Sequence, residues 1–190
     1  MNRSRRDFLG TASLLLAGGW HASAHADESG WRAVAAGGCA VLLRHAQTVS
    51  GIGDPPGFRL DDCSTQRNLS EAGRAESRRF GDEFRRRGVA VDEVLSSRWC
   101  RRIDTAQLAF PQHEVRVFEP LNSFFADGST RQAQTDALRD YLGRRPAARR
   151  IVMVTHQVNI SALTGQGVGM GEAVVVRLGA VEVIGRLRVA

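Results

Sequence analysis

Four side chains stand just beyond runs of apolar residues, and their chemistry is that of anion handling. Arg44 and His45 follow Val41-Leu42-Leu43, Arg101 comes shortly after Val94-Leu95-Ser96-Ser97, and His156 follows Val152-Met153-Val154-Thr155. A guanidinium fork matches two phosphoryl oxygens at once. Neighbouring cations disfavour a charged imidazole, which keeps it neutral and nucleophilic. Arginine does not ligate metals, and no carboxylate beside these residues completes a ligand set, so the pattern points to phosphate rather than to a metal centre. Such a pocket can stabilise a transferring phosphoryl group without a cofactor.

For these residues to meet, the runs that precede them must be neighbouring strands pointing the same way. Cys39–Leu43 and Arg150–Val154 are continuous apolar runs, as expected for strands buried on both faces, and Val94-Leu95 continues a third. Between them lie helical patterns. Ser70 can cap a helix from Glu71 to Arg87 that ends at Gly88. A second passes through Ile103, Ala106 and Ala109, and a third runs to about Gly143 from a capping box of Ser129 and Gln132. A short helix covers Ile160 to Leu163, Glu114–Phe118 alternates as a short strand, and Ala173–Leu178 and Val181–Leu187 close the chain as strands. Strands alternating with helices predict an α/β fold: a three-layer α/β/α sandwich with a mainly parallel central sheet and room for an antiparallel edge. Ligands of such sheets bind beyond the carboxyl ends of the strands. The polar, Gly- and Pro-rich stretch from Gln47 to Asn68 reads as a long functional loop.

Residues 1–26 stand apart from this domain. Arg5-Arg6 precede an apolar stretch from Phe8 to Trp20, and Ala24-His25-Ala26 offers small residues for cleavage. The pattern predicts a twin-arginine (Tat) export signal. Its apolar run of about 13 residues is short of the roughly 20 a membrane span needs. The expectation is a periplasmic or secreted domain over residues 27–190, with no stable membrane insertion after cleavage.

The 190-residue chain carries a net charge of +6, with arginine supplying all the fixed positive charge in the absence of lysine. That excess suits an anionic substrate but is too dispersed for a nucleic-acid partner, and the aromatic content of 6% is too sparse for base stacking. The three cysteines match no zinc spacing. Cys39 opens a strand-like run, whereas Cys63 and Cys100 lie in polar surroundings and form the candidate disulfide of an exported protein.

With these residues in place, a family resemblance emerges. Leu43-Arg44-His45-Ala46-Gln47-Thr48 resembles the Arg-His-Gly/Ala signature of the histidine phosphatase (phosphoglycerate mutase-like) superfamily. The segment Ser96-Ser97-Arg98-Trp99-Cys100-Arg101-Arg102-Ile103-Asp104-Thr105-Ala106 is similar to its second motif, with Arg101 rather than Arg102 in the phosphate-binding position. Val154-Thr155-His156 looks like the third, and Leu69-Ser70-Glu71-Ala72-Gly73 like the helix start between the first two. The resemblance runs from about Gly38 to Leu178, and the motifs occur in the family's order. It implies a metal-independent phosphatase in which His45 is phosphorylated and then hydrolysed, while Arg44, Arg101 and His156 hold the phosphoryl oxygens. The small exported members that act on phosphorylated envelope sugars are one analogue, and phosphorylated small molecules or such sugars are the implied substrates. Thr48 either hydrogen-bonds phosphate or turns the chain, and Arg67 is a candidate substrate contact.

The chain departs from the family at the leaving-group acid. Where relatives carry an acidic residue after a Leu-Asn-like pair, Leu121-Asn122 is followed here by Ser123. Asp127 is the candidate proton donor in its place, with Glu119 a second carboxylate nearby. Gln157 stands where a glycine is common after the third histidine. The doubtful acid leaves a second expectation open: a catalytically weak protein of the same fold that binds phosphate or anionic glycan.

Overall fold

The computed structural model describes residues 19–189. Residues 1–18, and with them most of the expected export signal, lie outside the described residues. The elements follow in chain order: α1 (Gly19–Ala36), β1 (Cys39–Arg44), α2 (Glu71–Arg86), β2 (Glu93–Ser96), α3 (Cys100–Ala109), β3 (Val115–Val117), α4 (Arg131–Gly143), β4 (Arg150–Thr155), α5 (Gln157–Thr164), β5 (Ala173–Arg177) and β6 (Val183–Leu187).

The six strands form one sheet in the order β3-β2-β4-β1-β5-β6. β1 pairs in parallel with β4, β4 with β2 and β2 with β3, whereas β5 and β6 run antiparallel at the other edge. The continuous apolar runs are explained by burial on both faces. Cys39, Val41 and Leu43 point into one core with Val152 and Val154, beneath Trp31, Phe80, Phe84, Ala106 and Phe110 of α1, α2, α3 and the turn after α3. Ala40 and Leu42 point into the other, with Ile151 and Met153, against Leu138, Leu142, Ile160 and Leu163 of α4 and α5. The result is the α/β/α sandwich expected of alternating strands and helices.

Aromatic rings dominate the first core. Phe84 meets Trp31 and Phe110 edge-on, with ring centroids 5.0 and 5.2 Å apart. Truncating such a fully buried ring to alanine costs about 3–5 kcal/mol. Two glycines let α2 settle deeply beside its neighbours. A Cβ at Gly81 would lie 1.8 Å from the carbonyl oxygen of Ala109, and one at Gly73 would lie 1.9 Å from that of Gln47. The second approach seats the start of α2 directly on the chain leaving β1.

Two stretches differ from the sequence-based reading. The residues before β1, given no element in that reading, form the end of α1, whose Trp31 and Val34 are 4% and 0% exposed. Trp31 and Val34 are three residues apart, which places both on the face of the helix that meets the core. α4 lacks the expected capping box, because Gln132 bonds forward to Asp136 and not back to Ser129. The cap lies one turn earlier, where Asp127 accepts from the backbone N–H of Ser129 at 2.9 Å at the start of a single 3-10 turn.

Cys63 and Cys100 form a disulfide with Cα atoms 5.7 Å apart, and Cys39 remains a buried free thiol. Burial raises the Cys39 thiol to a pKa of about 11, so it is inert at neutral pH. The bridge closes a loop with a sequence separation of 37. On the chain-entropy account such a loop contributes about 3–4 kcal/mol. The paired variant Cys63→Ser/Cys100→Ser is therefore expected to lose stability on that order in denaturant titration. Unreduced, unfolded wild-type protein should titrate one thiol; three would contradict the bridge.

Candidate active site

Parallel pairing brings three strand ends to one edge. Arg44 lies opposite Thr155 across β1 and β4, and Ser96 lies opposite Val154 across β2 and β4. The chain beyond those ends stays in register: the His45 N–H donates to Thr155 O at 3.3 Å and the Ser97 N–H to Val154 O at 3.2 Å. Arg44, His45, Ser97 and His156 are thus carried to the same end of the sheet. Thr105 ties the second segment to the first, accepting from the Ala46 N–H at 3.2 Å and donating to Arg101 O at 2.6 Å.

His45 is 2% exposed. Its Nδ1 lies 2.8 Å from Ala46 O. A carbonyl can only accept, so Nδ1 carries the proton and the lone pair is on Nε2. Burial is the main cause that lowers the pKa of His45 to about 3. The bond to Ala46 O opposes the shift, and Arg101, Arg44 and Arg67 add to it. At neutral pH the side chain is an uncharged imidazole whose Nε2 lone pair is available as a nucleophile.

His156, 4% exposed, is likewise held well below the ordinary histidine range by burial and by Arg101, His45 and Arg44. Its two nitrogens have different partners. Arg102 Nη2 donates to Nδ1 at 2.5 Å, so the ring proton is on Nε2, which faces Ser97 Oγ at 3.0 Å. Trp99 packs edge-on against the ring at 4.8 Å. Arg102 thus takes part by fixing the tautomer and orientation of His156, a role that its place beside Arg101 did not reveal.

The expectation that no acid stands among these cations is corrected by the structure. Arg101 is 4% exposed, and its guanidinium is paired bidentately with Asp54: Nη2 reaches Oδ2 at 2.8 Å, and Nη1 reaches Oδ1. Asp54 also accepts from the Arg67 N–H and from Trp99 Nε1, each at 3.0 Å. Burial raises the proton affinity of this carboxyl, but its bonds to Arg101, the Arg67 amide and Trp99 together lower its pKa. Removing one partner of such a buried pair costs about 3–5 kcal/mol, because the other charge is left uncompensated.

The loop from Gln47 to Asn68 supplies this carboxylate and is pinned along its second half. The disulfide joins it to the start of α3, Gln66 Oε1 accepts from the Cys100 N–H at 3.0 Å, and Arg67 O accepts from Arg101 Nη1 at 3.1 Å. Thr48 is buried, bridged to Leu69, and directs its hydroxyl to Met170 Sδ at 3.8 Å. Arg67 lies close enough to lower the pKa of both His45 and Arg44.

The acid candidates after β3 make their bonds with residues outside this cluster. Asp127 is exposed, and its bonds to the backbone and hydroxyl of Ser129 keep its carboxyl ionised. Glu119 pairs with Asn122 and, at 3.8 Å, with Arg98. Ser123 Oγ accepts from the Phe125 N–H at 3.2 Å.

Several guanidinium donors in the cluster have no partner within the protein: Arg44 Nε, Arg101 Nε, and Nε and Nη1 of Arg102, all buried. Buried cationic donors are costly when unsatisfied. An anion with several acceptor oxygens would satisfy them. Among the described residues no group of three or more His, Cys, Asp or Glu side chains is placed to hold a metal ion. Nor, within the same residues, is any helix long and apolar enough to cross a membrane.

Comparison with known proteins matches no family model and no curated protein. Solved structures do match. A protein histidine phosphatase SixA complexed with tungstate superposes with a TM-score of 0.59 at 14% identity, covering 79% of this chain and 96% of that one. The chain has the phosphoglycerate mutase-like fold. A mycobacterial glucosyl-3-phosphoglycerate phosphatase in complex with VO3 gives a TM-score of 0.53 at 19% identity over 72% of this chain and 91% of that one. A mutant phosphoserine phosphatase from Entamoeba histolytica in complex with phosphoserine gives 0.55 at 16% identity over 74% and 92%.

Protonation of the buried imidazoles has a defined consequence for stability. Above the ordinary histidine value of 6.5 neither folded nor unfolded His45 holds the extra proton; between 6.5 and about 3 only the unfolded chain does. The stability that a neutral His45 contributes is therefore complete above pH 6.5 and declines as the pH falls toward 3. A 15N-edited NMR titration is expected to show His45 still neutral, with its proton on Nδ1, at pH 5. A midpoint between pH 6 and 7 would contradict the burial-driven shift.

Proposed function

We propose that the protein is a metal-independent phosphatase that hydrolyses a phosphomonoester, or a similar phosphorylated compound, through a phosphohistidine on His45. The observation that carries this reading is His45 itself: an uncharged imidazole, its proton fixed on Nδ1 by Ala46 O, set among Arg44, Arg101 and His156 at the carboxyl edge of the sheet. The unpartnered guanidinium donors match the surplus acceptors of a phosphoryl group. Neighbours of the same fold are phosphatases bound to tungstate, to VO3 and to phosphoserine, all oxyanions or a phosphate ester.

In this reading His45 Nε2 attacks phosphorus in line with the leaving oxygen. Arg44, Arg101 and His156 hold the equatorial oxygens while charge develops on them. Arg102 keeps His156 in one tautomer throughout, and Arg67 adds positive charge at the entrance. Water then releases phosphate from the histidine. The substrate is a phosphorylated small molecule or envelope sugar, met outside the cytoplasm after export through the twin-arginine segment Arg5-Arg6.

Two measurements test this. The His45→Ala variant is expected to lose at least about 10³-fold in kcat on an activated aryl phosphate. Wild-type enzyme quenched in base during turnover should carry acid-labile phosphate on His45. Wild-type protein that binds phosphate but turns over no faster than His45→Ala would instead support the binding-protein reading. Export is tested separately: Arg5→Lys with Arg6→Lys should retain the protein in the cytoplasm, and the exported wild type should begin at Asp27.

A further inference from the structure

The chemistry described so far lacks a leaving-group acid. The position after Asn122 holds Ser123, and Asp127 is an exposed cap. Among the described residues, Asp54 is the one carboxylate that hydrogen-bonds any of the four side chains Arg44, His45, Arg101 and His156. Its side chain is 7% exposed, and it grips Arg101 with the same two-oxygen geometry that a phosphoryl group would use.

Accepting the phosphatase reading of His45, we infer that Asp54 is the acid that protonates the leaving group, and that it is freed for this role when the substrate's phosphoryl group takes its place on Arg101. Asp54 holds the Nη1/Nη2 edge of Arg101 and leaves Nε free, so a phosphoryl group that takes the Nη1/Nη2 edge must displace it. A phosphoryl dianion seated on Arg101 removes two of the bonds that hold Asp54 ionised and sets a negative charge beside it. Both changes favour the protonated carboxyl, and the burial of Asp54 already acts in that direction. The groups facing Asp54 are the Arg101 guanidinium and Trp99 indole from the α3 side and, from its own loop, the Arg67 amide and the charge of the Arg67 guanidinium; of the two cations, Arg101 is the one hydrogen-bonded to it.

The loop allows the exchange. Its second half is fixed by the disulfide and by Gln66, but the part around Asp54 is flanked by Gly51, Gly53 and Gly57, all at positive φ, and a Cβ at Gly53 or Gly57 would meet nothing. A shift of Asp54 away from Arg101 would give up its bond from the Arg67 N–H, and the open space at Gly53 and Gly57 leaves the backbone room to make it.

The reaction then balances. The Nε2 lone pair of His45 forms the N–P bond as the P–O bond breaks, and the leaving oxygen keeps that electron pair and takes the proton of Asp54. In the second half, water attacks phosphorus and gives its proton to the Asp54 carboxylate, and the N–P electrons return to Nε2. The substrates served are those with poor leaving groups, alkyl and sugar phosphates, because these need the proton most.

The test is the leaving-group dependence of the full-length, disulfide-bonded Asp54→Asn variant. Its kcat/KM is expected to fall about 100-fold or more on an alkyl phosphate such as glycerol phosphate, but less than about 10-fold on p-nitrophenyl phosphate. The ratio of the two does not depend on the folded fraction. Asp54→Glu, which keeps a carboxyl, should restore part of the alkyl phosphate activity. Equal losses on both substrates would make Asp54 a positioning residue for Arg101, and a gain on both would make it only a plug; either overturns the inference. Loss of the parent reading looks different, since His45→Ala would then be as active as wild type.

Discussion

The parallel pairing of β1, β4 and β2 is the constraint on which everything else rests. Each strand is apolar on both faces, so its register is held by two cores at once. A slip of one residue would put Val41 and Leu43 into the core built for Ala40 and Leu42. Because that register is fixed, the first polar residues past each strand arrive together. His45 and Ser97 both bond the backbone at the end of β4, and Ser97 Oγ in turn meets His156 Nε2. The cluster of arginines and histidines is built where the hydrophobic cores end.

Such a cluster is expensive to assemble. Four arginines crowd two neutral imidazoles, and burial, not a neighbouring base, keeps those imidazoles uncharged. The protein offsets the cost by giving each cation a defined partner. Arg44 donates to Val168 O at 2.9 Å, Arg102 donates to His156, and Arg101 holds Asp54. Several donors are still left over, and in the proposed reading these are the ones that meet the substrate's oxygens.

Much of this was legible in the residues alone. The apolar runs, the Ser70 cap, whose oxygen accepts from the Gly73 N–H at 3.1 Å, and the antiparallel edge all follow from local pattern. Local pattern ends where partners are distant in sequence. Asp54 sits in Asp-Pro-Pro, which reads as a turn, and its partner Arg101 is 47 residues away. Arg102 was hidden by standing beside Arg101, since two adjacent helical residues point about 100° apart and only the packed structure shows what each meets. α1 was missed because Trp31 and Val34 stand among small and polar residues whose own pattern is weak.

The Cys63–Cys100 bridge changes the arithmetic of the Asp54–Arg101 contact. Along the backbone these residues are 47 apart, but through the sulfur bridge the path is about ten residues. Closing the shorter loop is easier by about 1.4 kcal/mol, roughly tenfold in the effective concentration of the carboxylate at the guanidinium. The oxidation state of the chain therefore sets how firmly the protein's own carboxylate is held on Arg101.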